Sequence, residues 1–225
     1  MKILAQIIFV LWVFCGSVTA QPLFQGSGER EDWMGTYFQG KKLGFTRVQT
    51  RWSLQGIEVD STVFFQIRSK SIDQSTTINQ KTRLGPDFKL RGFSLLQEIT
   101  GHRQQVEGRV EGNRLIYRIK SRGFDKEKSI EFPPGTLPSS TFLLNLLADG
   151  LKVGQKGPLS LFLEPFQMLV DLEYEVLRKD NLEYEGKPVE TFAIKQKFSG
   201  IETTLWIAGD GSVIKETTNR GFESF

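Results

Sequence analysis

The chain has 225 residues, with 29 Lys or Arg against 26 Asp or Glu, for a net charge of +3. That balance excludes the electrostatic footprint of a nucleic-acid binder, so no nucleic-acid partner is expected. One cysteine and one histidine exclude a disulfide framework and a two-histidine metal centre, and neither a metal nor another cofactor is expected.

The chain opens as a secretory signal peptide over residues 1–20. Lys2 is the positive start, Ile3 to Phe14 is an apolar run, and "SVTA" supplies small residues for cleavage after Ala20. The protein is therefore expected in the periplasm or otherwise exported. The apolar run falls short of the roughly 20 residues of a membrane span. Retention as an N-terminal anchor is the alternative, and membrane association is otherwise at most peripheral. Cys15 would suit a lipoprotein signal, but Trp12, Val13 and Phe14 stand where small residues are needed. Cleavage removes Lys2 and Cys15 and leaves 28 basic residues against 26 acidic, with no thiol nucleophile or thiolate ligand.

Residues 21–30, "QPLFQGSGER", read as a loose leader, and 31–225 as one domain. Period-2 alternation then recurs at regular spacing. "RVQTRWSL" puts Val48, Thr50, Trp52 and Leu54 on one face. "IEVDSTVFFQIRS" does the same for Ile57, Val59, Val63, Phe65 and Ile67. Turns are expected at Gly85-Pro86-Asp87 and Glu111-Gly112-Asn113, with related turn chemistry at Gly40 and Gly186. The stretch "FPPGTLPSSTFLLNLLADGL" breaks the pattern. It reads as one short helix over 139–149, capped by Ser139 or Ser140 and ended by Gly150. Strands resume with "GPLSLFLEP", "QMLVDLEYEVLRKD", "LEYEGKPVETFAIKQKFSG" and "IETTLWIAGDGSVIKET". Asp210–Gly211 marks a hairpin turn there, and Trp206 is expected to close the core. The fold class is mainly β: an antiparallel curved sheet or half-barrel around one short central helix.

Residues able to carry chemistry are few. His102 reads as an exposed strand-end histidine, and no G-x-S-x-G nucleophile elbow occurs. Glu173 with Glu175, and Glu183 with Glu185, alternate with apolar residues as a solvated face does. No catalytic residue is assigned. Two binding features remain. Val59, Val63, Phe65, Phe142 and Leu146 are candidates to line a concave apolar site. Arg114, Arg118, Lys120 and Arg122 alternate along one segment, with Arg103 and Arg109 on its expected partner strand. This basic stripe could meet anionic head groups or an acidic protein, or could be a solvated face that protects an edge.

"DWMGTYFQGKKLGF" (32–45), "GLKVGQ" (150–155), "YEGKPVETFAIK" (184–195) and "LWIAGDGSVIKETTNRG" (205–221) together resemble an exported bacterial module found N-terminal to transglutaminase-like domains. They are also similar to the DUF3108-like and lipoprotein-carrier (LolA/LolB-like) group of β half-barrels. The resemblance implies a curved sheet around a helical plug and, from the carriers, acyl chains held in the concavity. In the tandem proteins the catalytic Cys, His and Asp belong to the second module, and this chain stops where that module would begin. The expectation is a non-enzymatic, exported cell-envelope binding module for an apolar or lipid-like ligand. The alternative is a protein-interaction module partnering a separately encoded transglutaminase-like or other envelope enzyme.

Overall fold

The computed structural model describes residues 26–68, 73–148, 150–209 and 212–225. The segment expected to be a signal peptide, with Cys15, residues 21–25 of the expected leader and the turn expected at Asp210–Gly211 lie outside the described residues.

The first half is an up-and-down meander of eight strands: β1 (Gly28–Phe38), β2 (Lys41–Ser53), β3 (Gly56–Arg68), β4 (Asp73–Leu84), β5 (Leu90–Ile99), β6 (His102–Glu111), β7 (Arg114–Ser121) and β8 (Phe124–Glu131). A short β9 (Leu137–Pro138) and helix α1 (Phe142–Ala148) follow. The second half is β10 (Lys156–Leu163), β11 (Met168–Tyr184), β12 (Lys187–Phe198), β13 (Ile201–Ala208), β14 (Val213–Thr218) and β15 (Phe222–Ser224). All join one sheet in the order β8-β7-β6-β5-β4-β3-β2-β1-β15-β14-β13-β12-β11-β10-β9. Every pairing is antiparallel except β9 with β10.

The local chemistry explains the hairpins. Gln39-Gly40, Thr100-Gly101, Glu185-Gly186 and Ser199-Gly200 are two-residue connections in which both residues have positive φ. That is the type I′ requirement, and glycine meets half of it without strain. Gly112 precedes Asn113 and alone carries the positive φ there, the II′ pattern.

A sheet this wide cannot stay open and flat. It curls, with the core on its concave side. Phe162 of β10 packs its ring against Phe93 of β5, Tyr117 of β7 and Phe132. β10 and β7 stand near opposite ends of the strand order, so the sheet wraps until its ends face each other. The wrap is not closed by backbone pairing, since β8 and β9 both remain edges. α1 fills the interior, with Phe142, Leu143, Leu144, Leu146 and Leu147 in the same buried cluster as both halves of the sheet.

Several expectations are corrected. The leader shortens, because Gly28–Arg30 already pair with β2, and Gly28 lies under the Trp52 ring where a Cβ would not fit. Leu54 is in a turn and 83% exposed rather than on the inner face. The helix begins at Phe142, three residues later than expected, because the Ser139 and Ser140 hydroxyls are engaged elsewhere. Gly150 does follow its end with positive φ, its N–H donating to the Leu147 carbonyl. β11 runs unbroken through Lys179-Asp180-Asn181, with a bulge between Val176 and Arg178. Trp206 does not close the core: Leu205 and Ile207 face inward, and Trp206 turns outward to donate to Asp180 with Lys215 over its ring.

"FESF" is part of the sheet. β15 pairs with β14 on one side and β1 on the other, and is the sole link in the strand order between the two halves. Phe222 packs on Phe38, and Phe225 stacks flat on Tyr37 at 4.6 Å. Gly35 and Phe225 exchange backbone hydrogen bonds. Truncating buried Phe222 to Ala should therefore cost about 3–5 kcal/mol in chemical denaturation, and Phe225→Ala, which loses one exposed stack, about 1 kcal/mol. Equal effects at the two positions would show that the seam does not bear on the core.

Candidate functional site

The five residues expected to line an apolar site come together, but as core. Val59, Val63 and Phe65 lie on the inner face of β3, and Phe142 and Leu146 are one turn apart on α1. All five are between 1% and 5% exposed and belong to the continuous buried cluster. None presents open surface; they form the wall of the interior. The inner face around them is not all apolar. Thr50 and Thr82 flank Val59, Thr46 lies beside Val63, and Thr76 lies beside Phe65.

Two carboxyls are buried in this interior. Glu164 follows β10 and accepts hydrogen bonds from Ser139 Oγ (2.5 Å), Ser140 Oγ (2.7 Å) and Gln80 Nε2 (2.9 Å). Gln80 Nε2 also donates to Thr82 Oγ1, which lies 2.9 Å from Ser140 Oγ. The knot ties β4, the entry to α1 and the end of β10. Burial pushes the Glu164 carboxyl up, against the opposing pull of its three donors. It explains why the two serines do not cap the helix.

Glu216 on β14 is the opposite case. It is 1% exposed, and neither carboxyl oxygen has a hydrogen-bond partner. Burial alone pushes its carboxyl well above the usual range. Cross-strand register places it in one interior row, Val176–Ile194–Leu205–Glu216–Ser224–Thr36–Gly44–Phe65–Thr76. Gln196, 2% exposed, sits one row away on β12 opposite Thr203, and both its amide atoms are unpartnered. The hydroxyls of Thr36, Thr46, Thr50 and Thr76 are also buried without partners. Buried polar atoms are nearly always paired, and each orphan costs about 1–3 kcal/mol.

The basic stripe is dispersed. β6 and β7 do pair, but Arg122 falls in the turn after β7 and leaves the strand. The others are interleaved with acids. Arg118 holds Asp125 in a two-point ion pair, Arg109 bonds Glu111, and Lys120 faces Asp125 in register. Arg114 donates to Ser129, and Arg103 stands opposite Glu98. The arrangement can solvate and protect the sheet. His102 is exposed at the start of β6, and Glu173, Glu175, Glu183 and Glu185 are all exposed. Among the described residues no group of three or more His, Cys, Asp or Glu is placed to hold a metal ion. No described helix is long and apolar enough to cross a membrane.

Glu164, Gln196 and Glu216 were not singled out from sequence, although a signal was present. Each is in phase with an inward apolar residue: Phe162 before Glu164, Ile194 before Gln196, Ile214 before Glu216.

No protein-family model matches the chain, and no curated protein matches it. Among solved structures it is similar to a beta-barrel-like protein of a domain of unknown function, DUF1849, from Brucella abortus. The identity is 11%, over 88% of this chain and 94% of that one, with a TM-score of 0.63. A DUF1089 family protein from Pseudomonas aeruginosa aligns at 12% identity over 89% and 92% of the two chains, with a TM-score of 0.45. The first likeness is one of fold, in keeping with the curved, unclosed sheet.

The two carboxyls should respond differently to substitution. Glu164→Ala strands Ser139, Ser140 and Gln80 and should lower unfolding free energy by about 3 kcal/mol; an unchanged midpoint would remove the knot from the fold's supports. A carboxyl raised by burial stabilises the folded state fully below the ordinary value of 4.5 and loses that contribution as pH rises through the raised value. The stability of the natural chain should therefore fall relative to Glu216→Gln as pH increases above 4.5, measured by denaturation at several pH values. Parallel curves would place this carboxyl in water.

Proposed function

We propose that this protein is a non-enzymatic binding module of the cell envelope, exported through its N-terminal signal segment. It takes an apolar or lipid-like ligand into the concave interior of its sheet. The observation that carries the reading is that interior: a continuous apolar cluster surrounds buried hydroxyl, amide and carboxyl atoms that have no partner in the protein. Burial of an apolar chain there would gain roughly 0.8 kcal/mol per methylene, and polar atoms on the guest would satisfy the orphans. The curled sheet leaves an unpaired gap between edges β8 and β9. The resemblance to carrier half-barrels supports the same reading by analogy of fold. The non-enzymatic part rests on the residues: the one histidine is exposed, and the one cysteine lies in the signal segment.

A second reading, a module that partners a separately encoded transglutaminase-like or other envelope enzyme, is favoured by β8. That edge strand is exposed along nearly its whole length and carries Phe124 on its surface. An unpaired edge of this kind can accept a strand from another chain.

Native mass spectrometry of the protein isolated from an envelope fraction tests the two together. The expected result is a mature chain beginning at Gln21, with a non-covalent adduct of lipid mass that organic extraction removes. A ligand-free chain bound to another protein in fixed stoichiometry would overturn the first reading in favour of the second.

A further inference from the structure

Orphaned polar atoms recur across the interior, and the chemistry of those around Glu216 says what kind of guest they fit. Glu216 lies between Leu205 of β13 and Ser224 of β15, and the row continues through Ser224 to Thr36 of β1. Gln196 stands one row away on β12, and Thr46 lies opposite Met34 of β1. Glu216, Gln196, Thr36 and Thr46 are all buried, and none reaches another within hydrogen-bond distance. The inventory is a carboxyl, a primary amide and hydroxyls, each able both to donate and to accept when the acid is protonated.

The charges that share this inner face are paired: Asp32 of β1, one inward position beyond Met34, bonds Arg30, and Lys179 of β11, in register with Phe192 and Ile207, bonds Glu190. The inward positions of β13 are Ile201, Thr203, Leu205 and Ile207, and those of β15 are Phe222 and Ser224. On β14 itself the neighbours in phase are Ile214 and Thr218. The ionisable side chain that shares a row with Gln196 is Tyr174, whose hydroxyl accepts from Gln155.

We propose that the interior around Glu216 and Gln196 seats the polar head of the bound amphiphile and selects a head that is uncharged and carries hydroxyl or amide groups. This rests on the ligand-binding reading above and deepens it. An anionic head would set a second acid beside Glu216, whose row holds no cation to balance either. An ammonium head offers donors only, so the Gln196 N–H groups would stay unpaired. It would also require a buried ion pair, where desolvation offsets the attraction. A hydroxyl-bearing head donates to Gln196 Oε1 and to the Glu216 carbonyl oxygen, and accepts from Gln196 Nε2 and the Glu216 O–H. It demands no ionisation.

The test compares three amphiphiles with the same acyl chain, monoolein, oleate and oleylamine, titrated against the delipidated full-length exported chain near neutral pH. Monoolein is expected to bind tightest, by about tenfold over either charged analogue. Glu216→Gln, which keeps a donor and an acceptor, should stay within about threefold of the natural chain for monoolein. Glu216→Leu should lose about tenfold or more while melting at an equal or higher temperature, because an orphaned polar group is gone. Gln196→Leu gives the same readout should Glu216→Leu fail to fold. Tighter binding of oleate or oleylamine, or an undiminished affinity for monoolein in the Leu variants, overturns the head-group assignment and leaves the lipid-binding reading standing. Failure of all three amphiphiles to bind, with ordered water occupying the row, overturns both.

Discussion

Three residues hold the two halves of this molecule in one sheet. β15 supplies the backbone link between β1 and β14, and the sheet order offers no second connection there. Each half is a meander whose strands pair with their sequence neighbours. Without the seam, each would keep its local hairpins and lose the common concave face. The aromatic pairs Phe38–Phe222 and Tyr37–Phe225 flank the seam on its two faces. The interior row that carries Glu216 crosses at this point, through Ser224 to Thr36. The candidate site is thus assembled by the same contact that assembles the sheet.

Opposite the seam the wrap is finished by side chains. Phe162 reaches the rings of β5 and β7, and Glu164 gathers donors from β4 and the segment before α1. The two buried carboxyls therefore stand at different places in the sheet order and in opposite states. Glu164 has three donors arranged around it, which compensate part of its desolvation and fix one geometry. Glu216 has none. A fold that satisfies one buried acid so fully shows that its chain can build such a shell. The bare surroundings of the other are what the proposed ligand would complete.

Much of this architecture was legible because β-structure has a period of two and tight hairpins need particular residues. Alternation in β2 and β3, and the X-Gly turns at residues 39–40 and 185–186, announced an antiparallel meander with one interruption. What escaped were features set by non-local geometry. Val59 and Phe65 were correctly placed on the inner face, but whether that face is open or packed depends on how far the sheet curls. Trp206 is apolar enough to suggest the core, yet it lies out of phase with Leu205 and Ile207 and turns outward to Asp180. Ser139 and Ser140 looked like caps since their partner lies 24 or 25 residues away, at Glu164. "FESF" is too short to register as a strand until β1 and β14 are seen on either side of it. Glu216 and Gln196 sat in apolar phase and could have been read as inward polar residues from alternation alone.

The outer face also bears on recognition. Its charges are matched across neighbouring strands. Arg51 and Lys81 share Glu58 and Asp60, Lys195 and Lys197 share Glu202, and Arg118 pairs with Asp125. Exposed pairs of this kind contribute little stability each, about 0–1 kcal/mol. Their larger consequence is to cancel the surface field, in line with a net charge of +3 on 225 residues. For the guest proposed above, the exterior then supplies little steering, and discrimination would fall to apolar area and to the geometry of a few hydrogen bonds, the two properties that the core cluster and the row around Glu216 supply.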